Sequence, residues 1–359
     1  MLLCRSQPAF EDVLALELAA HGWRELARGS GWVRAEPELA SAGMTDGEGR
    51  MTNGGAPAVP GGVGVPELCF AQVVMREPVL IEGASVNQLA GALTDWFLGS
   101  MRGERVEAAW PCLVQAAAGL EGLGRRADGV EKAFREGLKK RLSRVAKLAV
   151  DEAPRGPGAA RGLFVFFTDF GQAWVSRDVV FGGQRRMADD PQAPSRSYLK
   201  TEEAFVVLGR EPAADETVVD LGAAPGGWSY SAAKRGARVV AIDNGPLKGG
   251  ALNHPLIEHR MEDAFAYAPP GGERVDWLFC DLVEDPHHVM NNLIAPWLER
   301  GWCRRFVVNL KLGRVVPLAM LREVLAPKSV FVRETTLLRV RHLYHDREEI
   351  TLVGEVRGD

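Results

Sequence analysis

The chain has 359 residues, 46% hydrophobic and 25% charged, which are ordinary globular values at a length suited to two or three domains. The net charge of −4 argues mildly against a nucleic-acid partner. Five scattered cysteines (Cys4, Cys69, Cys112, Cys280, Cys303) form no CxxC pair, which argues against a disulfide framework or a zinc site and for a cytoplasmic protein.

The amino-terminal stretch reads as a helix around FEDVLALELAAHG followed by a strand, GWVRAE. Acidic residues stand where a signal peptide would carry its apolar core, and no run approaches the roughly 18–20 apolar residues of a membrane span. Residues 36–66 are dense in Gly, Pro, Ala and Ser without periodicity, so a long mobile loop is expected there. ELCFAQVVM resumes strand character, and VNQLAGALTDWFLG reads as a second amphipathic helix.

Residues 121–200 carry 16 Lys and Arg against 10 Asp and Glu, whereas the remaining residues carry 27 against 37. A basic middle is thus concealed inside an acidic total. Its core is VEKAFREGLKKRLSRVAKLAV, in which Phe134, Leu138, Leu142, Val145 and Ala149 recur at helical spacing. Arg135, Lys139, Lys140, Arg144 and Lys147 lie mostly off that stripe. They form either a solvated helix face or a surface that tracks RNA phosphates. RGLFVFFTDFGQAWVSRD then alternates as strands do, and FGGQRRMADDPQAPSRS reads as an interdomain connection.

From about residue 195 strands and helices alternate. TVVDLG, ARVVAID, VDWLFCD and RRFVVNLKL are separated by helical stretches, the pattern of a mostly parallel, doubly wound α/β sheet. KSVFVRETTLLRV and REEITLVGEV have no helix between them and are expected to pair antiparallel at the sheet's edge.

The loop DLGAAPGGW at 220–228 follows the first of these strands. Its spacing is G-x-x-x-G-G, not the G-x-G-x-x-G of dinucleotide binders, and Pro225 removes an amide that a pyrophosphate cradle would use. An oxidoreductase of that type is disfavoured. S-adenosylmethionine, which has no phosphate, suits the Ala224-Pro225-Gly226-Gly227 turn better. Asp243, ending the next strand, is placed to accept from the ribose hydroxyls, and Asp263 in RMEDAF from the adenine amine. Cys280 is either an inert core thiol or a nucleophile for carbon-5 of a pyrimidine. Lys311, at the carboxyl end of an apolar strand, is either half of a structural ion pair with Asp281 or a functional charge.

The ordered set PSRSYLKTEEAF, DLGAAPGGW, IDNGP, CDLVEDP, NLKL and LYHDREE resembles the bacterial ribosomal RNA large subunit methyltransferase M family. The resemblance is strong over 195–350 and weaker, though consistent, over 1–170. It implies a Rossmann-like class I methyltransferase domain at 195–359, behind a linker at 176–194. Ahead of these it implies a ferredoxin-like part at 1–75 and a THUMP-type RNA-binding domain at 76–175. It further implies a catalytic tetrad of Lys200, Asp281, Lys311 and Glu349. Ser197, Ala224, Pro225, Gly226, Gly227, Asp243, Asp263 and Asp281 are the implied S-adenosylmethionine contacts. The implied reaction is 2′-O-methylation of a cytidine in 23S rRNA by a monomer that uses no metal. Lys311 is the expected general base, with a pKa that must fall below the ordinary value of about 10.4; burial and Lys200 favour the fall, while close carboxylates oppose it. A carbon-5 methyltransferase acting through Cys280 and a non-catalytic RNA-binding protein are the alternatives.

Overall fold

The computed structural model describes residues 1–38 and 64–358, so the predicted loop at 36–66 lies almost wholly outside the described residues. Internal contacts divide the chain into two units, with the boundary between Gly182 and Gly183.

The first unit runs β1 (Leu2–Arg5), α1 (Glu11–Ala20), β2 (Trp23–Gly29), β3 (Trp32–Pro37), β4 (Val73–Arg76), β5 (Val79–Glu82) and α2 (Val86–Ser100). It continues with β6 (Trp110–Ala116), α3 (Leu123–Arg141), α4 (Ser143–Lys147), β7 (Ala149–Val150), β8 (Gly158–Asp169) and β9 (Gln172–Phe181). Among the described residues these strands form one nine-stranded sheet in the order β2-β3-β1-β4-β9-β8-β6-β7, with β5 also paired to β9. Strands from 1–75 and from 76–175 are therefore hydrogen-bonded members of the same sheet. Successive residues of β8 face opposite sides, as a strand's twofold period requires. Val165 and Phe167 meet α2 and α3 through Leu93, Phe97, Phe134 and Leu138. Phe164 and Phe166 pack with Leu3, Met75 and Trp174 on the other face. A Ser85 capping box starts α2, its hydroxyl accepting from the Gln88 amide while the Gln88 side chain accepts from Ser85.

The basic stretch is not one continuous helix. It breaks at Leu142 (φ −140°, ψ 67°), which is 38% exposed and not part of a buried stripe. Trp110 causes the turn-back: its amide donates to the Leu148 carbonyl at 3.0 Å and its indole to Val145 at 2.9 Å. Ala149–Val150 is drawn into a short parallel pairing with Trp110–Pro111.

The second unit contains α5 (Tyr198–Leu208), β10 (Thr217–Leu221), α6 (Gly227–Ala233), β11 (Arg238–Ile242), β12 (Ile257–Arg260) and β13 (Val275–Cys280). There follow α7 (Pro286–Val289), α8 (Ala295–Glu299), β14 (Cys303–Lys311), α9 (Pro317–Val324), α10 (Val330–Arg333), β15 (Thr335–Arg341) and β16 (Glu349–Val356). The sheet order is β12-β11-β10-β13-β14-β16-β15. The strands from β10 to β14 are parallel, and β16 is antiparallel to both β14 and β15. One face is covered by α5 and α6, where Phe205, Trp228, Trp277 and Phe279 pack together. This is the expected doubly wound α/β domain, with three local differences. The short, charged β12 was not read from the sequence. Val330–Arg333 is helical because the Ser329 hydroxyl accepts from the Phe331 amide at 3.3 Å and caps the turn. The terminal hairpin is turned inward, so that β16 sits against β14 and β15 takes the edge.

Candidate active site

Parallel strands present their carboxyl ends at one edge of a sheet, and an antiparallel neighbour presents its amino end there. Asp281 immediately follows β13, Lys311 ends β14 and Glu349 begins β16, so three residues distant in sequence meet at that edge. Lys200, in the first turn of α5, joins them from the covering helix.

The four charges alternate. Lys311 Nζ donates to Glu349 Oε2 at 2.7 Å and to Asp281 Oδ1. Lys200 Nζ pairs with Glu349 Oε1 and lies 3.7 Å from Asp281 Oδ1. Lys200 is 8% exposed and Glu349 7%, so each charge depends on its partners instead of on water. Burial pushes the Glu349 carboxyl up, but Lys200 and Lys311 outweigh it and hold the group below its ordinary value. Burial pushes Lys311 down, but the charges of Asp281 and Glu349 outweigh it and raise its pKa. The expected fall is therefore reversed: the carboxylates sit close enough to win, and the resting group is an ammonium.

Asn309 escaped the sequence reading. It is fully buried on β14, two residues before Lys311, and its Oδ1 accepts from Lys311 Nζ at 2.7 Å. The signal was present as a polar residue inside the apolar run FVVNL, where a buried amide requires partners.

Around the turn at 222–227, Asp243 performs structural work. Its Oδ2 accepts from the Ala224 amide at 2.9 Å and its Oδ1 from the Gly245 amide at 2.7 Å. A carboxylate has about four lone-pair sites, so capacity for two hydroxyls remains. Asp263 is exposed and bonds the Phe265 amide at 2.9 Å, capping its own turn. Ser197 precedes α5 and shares a hydrogen bond with the Ser195 hydroxyl at 2.7 Å. A Cβ on Gly227 would stand 3.1 Å from the Ser197 hydroxyl, which places Ser197 directly against the turn. Gly222 has φ +80°, and a Cβ there would come within 2.4 Å of the Leu282 side chain. At Gly222 the missing side chain therefore makes room for the protein's own Leu282. Pro225 donates nothing, and its carbonyl accepts from the Lys248 amide at 2.9 Å.

Asp220 is 1% exposed and accepts from the Ser229 hydroxyl at 2.6 Å. Burial, with Asp281 and Asp243 adding repulsion, raises its pKa to about 7. Asp243, bonded to the turn, keeps acceptor capacity there for the hydroxyls of a nucleoside. S-adenosylmethionine fits these residues. Cys280 is fully buried and its thiol is pushed up to about 12 by burial, which leaves no thiolate at neutral pH for attack on a base.

The residues read as RNA-binding lie in the first unit. Lys139 and Lys140 end α3, Arg144 and Lys147 belong to α4, and all four are exposed. Lys139 and Lys147 border a 270 Å³ cavity floored by Phe134 and Leu138. Arg135 differs: its guanidinium bonds Glu131 at 2.8 Å, the Cys112 carbonyl at 3.2 Å, and Asp151. Among the described residues, no helix is long and apolar enough to cross a membrane.

Residues 193–332 match the FtsJ-like methyltransferase family. The chain is 38% identical over 244 residues to ribosomal RNA large subunit methyltransferase M of Laribacter hongkongensis strain HLHK9, covering 64% of this chain and 66% of that protein. With the protein of that name from Marinomonas sp. strain MWYL1 identity is 43% over 179 residues, covering 47% and 50%. These two alignments thus span about two thirds and half of the relatives' lengths. With the protein of that name from Pseudomonas putida strain F1, identity is 32% over 367 residues, covering 98% of this chain and 96% of that protein. The second unit is an S-adenosylmethionine-dependent methyltransferase domain, and the chain belongs to the ribosomal RNA large subunit methyltransferase M family.

Proposed function

We propose that this protein methylates the ribose 2′-hydroxyl of a cytidine in 23S rRNA, with Lys311 as the general base. The observation that carries the reading is the Lys200–Asp281–Lys311–Glu349 cluster at the sheet edge that also carries the acid-lined turn. S-adenosylmethionine, when bound, supplies a methyl group made electrophilic by the sulfonium. The Ala224–Gly227 turn, Ser197, Asp243, Asp263 and Asp281 hold it, Asp243 through the ribose hydroxyls and Asp263 through the adenine amine.

A ribose hydroxyl is a poor nucleophile until its proton is removed. Lys311 can accept that proton only after losing one of its own, since its resting form is the ammonium. Asp281 and Glu349 aim Lys311 Nζ, and Lys200 offsets part of their charge, so the cluster is neutral at rest and carries one negative charge once Lys311 has given up its proton. Positioning of this kind converts a slow encounter into an intramolecular step.

The first unit serves this reaction as an RNA-binding region, ferredoxin-like over 1–75 and THUMP-like over 76–175. Lys139, Lys140, Arg144 and Lys147 contact phosphates, and Arg135 ties α3 to the segment after β7 through Asp151 while also pairing with Glu131 on α3 itself. The protein acts as a cytoplasmic monomer on naked rRNA or an early precursor particle. Mapping of 2′-O-methyl groups on 23S rRNA from cells lacking the gene tests the reading. One cytidine should lose its sugar methyl and regain it with the wild-type gene but not with Lys311→Ala. A methyl lost from a base instead of a sugar would refute it.

A further inference from the structure

The Lys311 ammonium has three N–H donors, and three side chains receive them: Asp281, Glu349 and Asn309. Two of these acceptors are charged and one is neutral. All three bonds are charge-assisted by the ammonium, but only those to Asp281 and Glu349 add ion–ion attraction, so the N–H directed at Asn309 is the least costly to give up.

The Asn309 amide is also prevented from turning over. Its Nδ2 donates to Thr351 Oγ1 at 2.9 Å and to Asp346 Oδ1 at 3.1 Å. Thr351 Oγ1 donates in turn to Asp346 Oδ2 at 3.0 Å, and the Leu343 amide donates to the same oxygen at 2.8 Å. The Lys311 ammonium only donates, so the amide oxygen must face Lys311, which leaves the amide nitrogen to face Asp346 and Thr351. The register of β14 against β16, which sets Asn309 opposite Thr351 and Lys311 opposite Glu349, builds both layers at once. Asn309, Thr351 and Asp346 are 0%, 1% and 4% exposed, so no water competes with this arrangement.

We propose that Asn309, its amide oriented by Asp346 and Thr351, is a positioning residue that supplies the neutral third acceptor of Lys311 and thereby sets how readily the ammonium releases a proton. This rests on the reading of Lys311 as the base. A third carboxylate at this place would hold the ammonium more tightly, and an apolar side chain would leave one N–H without an acceptor. The charged and titratable groups around the pair are Cys280 at the end of β13, Asp281 just after it, Glu349 from β16, Lys200 from α5, and Asp346 and His342 from the segment before β16.

The test is the pH dependence of single-turnover methyl transfer to in vitro transcribed 23S rRNA, for the parent, Asn309→Asp, Asn309→Leu, Asp346→Asn and Lys311→Ala. Dissociation constants for S-adenosylmethionine and rRNA and the melting temperature are measured alongside. Asn309→Asp is expected to move the profile upward by at least about one pH unit, a tenfold loss at neutral pH that returns as the pH is raised. Both dissociation constants should stay within about twofold, well below the tenfold that about 1.4 kcal/mol would produce. Asp346→Asn, which keeps the volume but frees the amide to turn over, should lower the rate at neutral pH. Below the Lys311 pKa a parallel drop at every pH fits either role, so Asn309→Leu decides: removing the third acceptor without adding charge should leave the neutral-pH rate at or above the parent's. If Asn309→Asp does not fold, Asn309→Leu alone decides, and a loss of about tenfold or more in Asn309→Leu means a merely structural role and overturns the inference. Retention of activity in Lys311→Ala would instead overturn the reading beneath it.

Discussion

Lys311 and Glu349 stand opposite each other across the antiparallel pair β14–β16, with Lys311 Nζ 2.7 Å from Glu349 Oε2. They are the last residue of one strand and the first of another. Their pairing puts a base candidate and its orienting carboxylate at the edge where the parallel strands end. It also keeps the lysine protonated, which has a direct kinetic consequence.

Turnover should rise with pH across the neutral and mildly alkaline range without levelling off. The pairing with Asp281 and Glu349 raises the Lys311 pKa above its ordinary value, so the deprotonated fraction grows about tenfold per pH unit below that pKa. Lys311→Ala should lower the rate by about 10²–10⁴-fold, the usual contribution of a general base, while S-adenosylmethionine and rRNA still bind. Lys311→Arg should be nearly as slow, because a guanidinium stays protonated at any usable pH. Single-turnover rates over a pH series check both. A profile that is flat, or an active Lys311→Arg, would remove Lys311 as base.

Cofactor affinity should depend on Asp243 more than on Asp263. Asp243 accepts from two loop amides and is half-buried, whereas Asp263 is exposed. Its removal leaves the turn amides without acceptors as well as the ribose, a loss of about 1–3 kcal/mol per unsatisfied group. Titration calorimetry with Asp243→Ala should show S-adenosylmethionine binding about tenfold weaker or worse. Asp263→Ala should lose less, and the reverse order would contradict the assignment.

Replacing Lys139, Lys140 and Arg144 together by Gln should weaken rRNA binding and flatten its salt dependence by about one in slope for each lost phosphate contact. All three are exposed. Arg135→Gln is expected to act differently, lowering the melting temperature, because it breaks the ties to Glu131, Asp151 and the Cys112 carbonyl. Filter binding over a salt series separates the two effects. An unchanged slope in the triple variant would reduce that face to a solvated one.

Stability should fall as pH rises between about 4 and about 7. Asp220 and Asp346 have folded pKa values raised to about 7, and Glu203 to about 8, with burial the main cause in each. Between the unfolded and folded values the folded state binds more protons, so raising the pH favours unfolding. Asp220→Asn removes one of these groups and should flatten the decline in melting temperature over that window. A decline as steep as the parent's would show that Asp220 is ionised throughout.

The order of strands and helices after residue 195 was legible because alternation between twofold and helical periods is a local property of the chain. The turn at 222–227 was legible for the same reason: a proline and clustered glycines after a β-branched run restrict the backbone wherever they occur. The four tetrad residues came from a resemblance between ordered motifs, and composition alone did not single them out. Other features depended on distant partners. The helix break at Leu142 needed Trp110, and the inward position of β16 needed the choice between β14 and solvent. The joining of early and late strands into one sheet needed pairings such as β4 with β9. Above all, the sequence left Lys311 as either half of an ion pair with Asp281 or a functional charge, and burial alone would have lowered its pKa. Only the tertiary structure decided its sign, because electrostatic energy depends on distance, and the acceptors that win lie 30 and 38 residues away in the chain.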